Sequence, residues 1–273
     1  EAVRRGMKPI LAGRDAGKLS ALAERLGIAE TRCFGLDDQD QIVEGLSGVT
    51  CVIHAAGPFE ITGPPMIDAC IAGGVHYLDI TGEFLIYEYA EGRSAKAEAK
   101  GIMLMPGVGW DVVPSDCIAA HTAARLDSPQ SLELALSHFG GVSRGSMKSG
   151  AGIVATGPRA RRDGKVVSPN DQQPITVDFG DGIKTCIPMP MGDVITAWKS
   201  TGVPNIDVYF AVAEDSAFAA PESLDDVPEG PSKEERDAGR SRVIATVTGA
   251  DGRTVRSMIE TISAADPSPP ELR

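Results

Sequence analysis

The sequence predicts an α/β fold: a Rossmann-type doubly wound parallel sheet followed by a second α+β domain with a mostly antiparallel sheet. Three observations predict it. Over residues 1–113, short apolar strands alternate with single helices every ~20–30 residues, the pattern of a parallel sheet with helices on both faces. After Pro114, strands follow one another with few long helices between them. The length of 273 residues suits two domains at about 150 residues each. The expected division is 1–113, a dinucleotide-binding domain, and 114–273, a substrate or dimerisation domain.

The elements follow from local patterns. Glu1-Ala2-Val3-Arg4-Arg5-Gly6 reads as the end of a helix closed by glycine, which leads us to expect sequence upstream. Ile10-Leu11-Ala12 is the first visible strand. Asp15 caps a helix with Leu19, Leu22, Ala23 and Leu26 on one face, closed by Gly27. Thr31 to Leu36 is a strand, and Asp38 with Gln41 forms a capping box for a helix burying Ile42, Val43 and Leu46. Val49 to Ala56 is apolar enough for a strand covered on both faces. Pro64 and Pro65 suit the first turn of the next helix, which stops at Gly73-Gly74. His76 to Ile80 is a strand, Phe84 to Lys100 a charged helix, and Ile102 to Met105 a strand.

In the second half, a helix over Asp116 to Arg125 leads into a strand at Leu132 to His138. Further strands are expected at Ile175 to Phe179, Ile183 to Pro188, Ile206 to Ala213 and Val243 to Thr248. Val255 to Ile262 pairs with the last of these across the turn Ala250 to Arg253. Val154 to Pro174 and Pro221 to Gly239, rich in Gly, Pro and charge, read as mobile or solvated. Ala264 to Arg273 reads as neither helix nor strand, and further sequence could follow it.

Composition removes several classes of function. Hydrophobic residues at 42% and charged residues at 23% are ordinary for a globular chain, which excludes wholesale disorder. No apolar run reaches the ~18 residues of a transmembrane helix. A net charge of −12 argues against nucleic acid as a partner. The five cysteines (33, 51, 70, 117 and 186) and four histidines fall in no metal-ligand spacing, so no metal is expected. Cys51, Cys70 and Cys117 lie in apolar runs and read as buried hydrophobes, and the whole set fits a reducing cytoplasm.

Ligands of open parallel sheets bind beyond the carboxyl ends of the strands. Gly13-Arg14 follows the first visible strand. If that strand is second in a Rossmann domain, an acid there would bind a free ribose 2′-OH, whereas arginine accommodates the 2′-phosphate. Arg14 therefore favours NADP over NAD, although it could instead pair with Asp15 or Glu24. Asp37 could reach an adenine amino group, while Asp38 is placed to cap the helix. Ala55-Ala56-Gly57-Pro58-Phe59 offers small residues for close backbone approach, with Phe59 a candidate neighbour of the nicotinamide. His54 within the strand reads as a packed core residue. Tyr77, Asp79 and Glu83 end the next strand, and Glu83 could instead serve the N-terminus of the following helix. Met105-Pro106-Gly107-Val108-Gly109-Trp110-Asp111 tempts one to see a phosphate loop. It has Val112 where the last glycine belongs, so it reads as an inter-domain crossing with Trp110 and Asp111 facing the cleft.

These segments together (Gly13-Arg14, Ala55 to Phe59, Tyr77 to Glu83, and Met105 to Asp116) resemble the saccharopine dehydrogenase-like oxidoreductases. The nearest branch is the trans-acting enoyl reductase and saccharopine dehydrogenase-like oxidoreductase group. The likeness is firm over residues 8–118 and weaker beyond, where Ser143 to Ser146 and Asp163 to Lys165 are similar to family segments. It implies a Rossmann domain opening on a Gly-rich loop, which is missing from this sequence. It also implies a second domain often used in dimer contacts, hence a candidate homodimer, and a C-terminal segment unlike residues 263–273.

The chemistry expected is hydride transfer from NADPH to a C=C conjugated to a carbonyl, or to a C=N, in a small or lipid-like substrate. A proton is also required, with Tyr77, Glu83 and Asp111 as candidates and Arg144 as a candidate carboxylate clamp. The alternative is a non-catalytic nucleotide-sensing or scaffold protein that keeps the Rossmann fold.

Overall fold

A computed structural model describes residues 2–139, 143–212 and 230–262. The tail from 264 to 273 and residues 221–229 of the segment 221–239 therefore lie outside the described residues.

The first half follows the alternating pattern. Strand β1 (Leu11–Gly13) leads to helix α1 (Ala16–Leu26), then β2 (Thr31–Cys33) and α2 (Gln39–Gly45). Next come β3 (Cys51–His54), α3 (Phe59–Gly73), β4 (His76–Asp79), α4 (Phe84–Glu91), α5 (Ser94–Ala99) and β5 (Leu104–Met105). All pairings among these strands are parallel. Local capping works as expected. The Asp15 side chain accepts from Lys18 N, Gly27 closes α1 in the left-handed conformation, and Asp38 accepts from the amides of Asp40 and Gln41.

The parallel strands form two sheets, β1–β2 and β3–β4–β5. In a doubly wound sheet the first strand stands between these two groups. Among the described residues, β1 and β3 each lack a partner on that side. One core nevertheless joins the two sheets. Phe34 and Leu36, just after β2, pack against buried Ile42, Phe59, Ile67, Cys70 and Tyr77.

Several expectations need correction. Helix α3 starts at Phe59, so Pro64 and Pro65 lie inside it rather than in its first turn. The segment expected as one helix over 84–100 breaks at Gly92 into α4 and α5. β3 is covered on one face only. Val52 and His54 face the core, whereas Ile53 is 66% exposed and Cys51 is exposed. Cys117 is exposed too, and only Cys70 and Cys186 are buried thiols.

The second half begins with α6 (Val113–Ala123) and β6 (Pro129–Phe139). It continues through α7 (Arg144–Thr156), β7 (Ala160–Arg162), β8 (Lys165–Val167), β9 (Ile175–Asp178) and β10 (Ile183–Pro188). Then follow α8 (Asp193–Thr201), β11 (Asn205–Ala211), α9 (Lys233–Ala238), β12 (Arg240–Gly249) and β13 (Thr254–Ile262). The sheet runs β13-β12-β6-β11-β10-β9, with β7 and β8 attached through β11. Among the described residues only the β6–β11 pairing of this sheet is parallel. The stretch 154–174, expected to be mobile, holds the β7–β8 hairpin with Ala160 and Arg161 buried.

Strand alternation gives this sheet two unlike faces. Leu132, Leu134, Leu136, Val243, Ala245 and Val247 point one way, into a core shared with α6 and α8. That core also takes Phe84 and Tyr87 from α4, so the two halves are packed together. Tyr87 is the wedge between them. A Cβ on Gly192 would lie 2.3 Å from its ring, and one on Gly107 1.7 Å from its hydroxyl. Asp193, fully buried, meets the Ser115 hydroxyl of α6, and burial pushes its carboxyl up to about 7.

Candidate active site

The turn after β4 organises the site. Asp79 has no exposed surface, and its carboxylate accepts three hydrogen bonds. Tyr77 Oη donates to Oδ2 at 2.6 Å, and the amides of Thr81 and Gly107 donate to Oδ1 at 2.9 and 2.8 Å. Val108 N also donates to the Asp79 carbonyl at 2.8 Å. One side chain thus shapes its own turn and pins the crossing at 106–111 to it. Burial raises the Asp79 carboxyl above its ordinary value, although the three donors oppose that shift.

Glu83 is the next link. It is 6% exposed, and its two oxygens accept from Phe59 N at 3.1 Å and Glu60 N at 2.7 Å. Those are the first amides of α3, which have no partner inside their own helix. Glu83 stands at the N-cap of α4 but makes no side-chain cap there, so its carboxylate serves α3 instead. This explains why α3 starts before its prolines: the capping group comes from 24 residues away.

The loop Ala55-Ala56-Gly57-Pro58 lies between β3 and that helix start. Ala55, Ala56 and Gly57 are exposed and present little beyond backbone, and the Gly57–Pro58 peptide is cis. Thr62, one turn into α3, holds the loop by donating to the carbonyls of Ala56 and Pro58. His54 Nε2 lies 3.0 Å from the Thr62 hydroxyl. Because that hydroxyl gives its proton to a carbonyl, His54 must donate from Nε2, and it does so as a neutral imidazole. Burial lowers its pKa from 6.5 to about 4, consistent with the neutral form. Phe59 is 7% exposed with its ring edge-on to His54, so it is part of the core rather than of the open loop.

The other sequence-predicted residues lie apart from one another. Gly13 and Arg14 share one sheet end with Asp37 and Asp38, because β1 pairs in parallel with β2. Arg14 is exposed, and among the described residues it has no ion pair with Asp15, Glu24 or any other group. Asp37 is exposed, and Asp38 caps α2. Tyr77 is fully buried with its hydroxyl committed to Asp79.

Trp110 and Asp111 diverge. The Trp110 indole donates to Thr261 Oγ1 at 2.7 Å and lies beside His138, on the second sheet. Asp111 packs on the Gly82 turn, where an added Cβ would sit 3.0 Å from its own Cβ. Asp111 is exposed, yet the crowding of neighbouring atoms, and then the charge of Glu83, raise its carboxyl to about 6. Water reaching its open surface weakens that desolvation. Arg144 opens α7 half-buried, and the same helix comes against the first turn of α3, where a Cβ on Gly152 would lie 3.0 Å from Glu60 Oε1. A small hollow between them is lined by Glu60, Glu83, Phe84, Leu85, Gly152, Ile153 and Thr156.

Thr62 was not singled out from the sequence. Its signal was available: a threonine one turn into a helix can reach the carbonyl four residues back. The reach of Glu83 to α3 left no local signal.

A parallel-stranded unit with small-residue loops at its strand ends, joined through an acidic turn to an α+β sheet, is the architecture of a Rossmann-like domain followed by an α+β domain. Residues 2–105 match the saccharopine dehydrogenase NADP-binding domain. Over those residues the chain is similar to the saccharopine dehydrogenase-like oxidoreductases. It is 28% identical over 157 residues to a trans-acting enoyl reductase of Mycobacterium ulcerans, covering 56% of this chain and 38% of that protein. It is 32% identical over 79 residues to a human saccharopine dehydrogenase-like oxidoreductase, covering 29% of this chain and 18% of that one. The chain thus spans less than half the length of the curated relatives it matches. In fold it is similar to the Saccharomyces cerevisiae saccharopine dehydrogenase (L-Glu forming), with a TM-score of 0.58 at 12% identity over 96% of this chain and 81% of the other.

The His54 contact yields a pH prediction. A histidine whose pKa is depressed on folding lets the unfolded state bind more protons, so its contribution to stability is lost as pH falls from 6.5 toward about 4. Relative to His54→Gln, which keeps a donor toward Thr62 but does not titrate, the natural protein should lose up to about 3 kcal/mol over that interval. Urea unfolding at stepped pH measures the difference, and parallel pH dependence of the two proteins would refute the assignment.

Proposed function

We propose that the protein is an NADP-dependent oxidoreductase that delivers hydride to a C=C conjugated to a carbonyl, or to a C=N, of a small or lipid-like substrate. The observation that carries the reading is Arg14: an exposed guanidinium without an ion pair among the described residues, at the carboxyl end of β1. In this architecture that position meets the adenosine ribose, and a guanidinium there suits a 2′-phosphate. Asp37 lies at the same sheet end for the adenine side. The residues present fit the dinucleotide in a second respect, because the exposed Ala55-Ala56-Gly57 backbone leaves open the room that larger side chains would fill. When bound, the nicotinamide would supply the hydride.

The protein's own part is orientation, exclusion of water and proton delivery. Asp111, raised to about 6 and set on the Gly82 turn, is the proposed proton donor. Tyr77 and Glu83 hold the frame in this reading, since their polar atoms are committed to Asp79 and to α3. Phe84, Leu85 and Ile153 are the apolar part of the hollow's lining, which supports an apolar substrate body. The names of relatives, a trans-acting enoyl reductase and a lipid droplet localized protein of Caenorhabditis elegans, point the same way. Arg144 would then serve a carboxylate or phosphate end of that substrate. We place the protein in the cytoplasm and propose a homodimer through the second domain; among the described residues no helix is long and apolar enough to cross a membrane.

The reading predicts that NADPH raises the melting temperature of the full-length protein more than NADH does, since a ligand of the native state stabilises it by mass action. Arg14→Asp should erase at least a tenfold preference, about 1.4 kcal/mol. An unchanged preference would remove Arg14 from the site, and no shift with either nucleotide would favour a scaffold without cofactor.

The proton donor is tested separately. Reduction needs Asp111 protonated, so kcat/KM should fall as pH rises through the pKa of this carboxyl, which is raised above its ordinary value. Asp111→Asn should lower the rate by ~100-fold or more and abolish that inflection. A variant that keeps both the rate and the inflection would exclude Asp111.

A further inference from the structure

The face of the second sheet turned away from α6 and α8 carries a feature the proposed reaction does not use. Alternation brings Ser137 of β6, Arg240 and Arg242 of β12, and Lys184 of β10 to this one face. With Asp181 and Ala238 they line a cavity of about 220 Å³. A water in the liquid occupies about 30 Å³, so the space admits a polar group with a short carbon body. The lining holds three cations and one carboxylate, in a chain whose net charge is −12.

The partners of these cations show where charge is left over. Asp181 Oδ2 lies 3.2 Å from Lys184 Nζ and 2.7 Å from Arg242 Nη1, so one oxygen sits between two cations. Arg242 Nη1 is buried, and its partner is this one Asp181 oxygen. Glu260, outside the lining, holds Arg242 Nε at 2.6 Å. Lys184 Nζ also reaches the Ser137 hydroxyl at 3.0 Å. Arg240 donates only to the carbonyls of Asp237 and Gly239, at 3.0 and 2.7 Å, which leaves its charge uncompensated by a carboxylate among the described residues. A ligand oxygen would meet the Arg240 guanidinium without displacing a carboxylate from it.

We propose that this cavity binds a small molecule bearing a phosphate group, held by Lys184, Arg240 and Arg242 with the Ser137 hydroxyl. With Asp181 and Glu260 set against Lys184, Arg240 and Arg242 the cluster keeps a net positive charge, and its several N–H donors suit the three acceptor oxygens of a phosphate better than the two of a carboxylate. Guanidinium forks suit phosphate oxygens geometrically. The site lies across the sheet from the inter-domain side, since Ser137 and Arg242 alternate with Leu136 and Val243, which face the core shared with α6 and α8. It is therefore a second ligand site, independent of the dinucleotide reading.

The test is thermal melting of the full-length protein with inorganic pyrophosphate, against sodium chloride and citrate at equal ionic strength. Pyrophosphate should raise the melting temperature saturably, and Lys184→Gln/Arg240→Gln should raise the half-saturating concentration at least tenfold. The response should persist in Arg14→Asp, which separates this site from the proposed nucleotide site. Should the double variant lose its melting transition, Lys184→Gln alone is read by the same titration. A pyrophosphate response no larger than that of chloride, one matched by citrate, or one unchanged in the cavity variants would overturn the proposal.

Discussion

The buried carboxylate of Asp79 is the contact on which the rest of the site depends. A carboxylate removed from water needs donors, and Asp79 finds three: the hydroxyl two residues before it, the amide two residues after it, and the amide of Gly107. The first two fix how β4 ends. The third fixes where the chain passes from one half of the molecule to the other. Thr81, held by Asp79, in turn accepts from Glu83 N at 2.9 Å through its hydroxyl. Glu83 then caps α3, and α3 carries Thr62, which holds the loop proposed to face the cofactor. Four short hydrogen-bonded steps connect a strand end to a loop two elements earlier in the chain.

The same turn couples the two halves. Gly82 O accepts from Gly192 N at 3.1 Å, and Glu83 bridges to Met191, so the acidic turn and the start of α8 form one unit. Side chains crowd this turn: a Cβ at Gly82 would lie 2.9 Å from Met191 Cε and 3.0 Å from Asp111 Cβ. Asp111 rests on that joint, which ties the proposed proton donor to the relative placement of the two halves. A cofactor bound on one half and a substrate on the other would meet across a junction that is already assembled.

Much of the fold was legible because its signals are local. Asp15 and Asp38 announce the starts of α1 and α2, and Gly27 and Gly74 announce helix ends through their positive φ. The β12–β13 hairpin follows from two alternating runs around Ala250 to Arg253. What escaped was non-local. The start of α3 depends on Glu83, and its two prolines misdirected the reading because the capping group lies far along the chain. The exposed face of β3 could not be foreseen from an apolar run, since apolarity does not say which helices arrive. Helix α8 was missed although Asp193 in its first turn and Gly202 at its end are ordinary signals. At the site, Arg14 and the Ala55 to Gly57 loop were legible as strand-end residues. The commitments of Tyr77, Phe59 and Glu83 to the frame required three dimensions.

The most direct measurement of this dependence is native-state hydrogen exchange on Asp79→Ala, with Asp79→Asn as the control that keeps an acceptor. If Asp79 sets the whole chain of contacts, the alanine variant should lose protection at the amides of Thr81 and Gly107. It should also lose it at those of Phe59 and Glu60, which Asp79 does not touch, while asparagine largely restores all four. Loss confined to Thr81 and Gly107, with Phe59 and Glu60 as protected as before, would contradict the account.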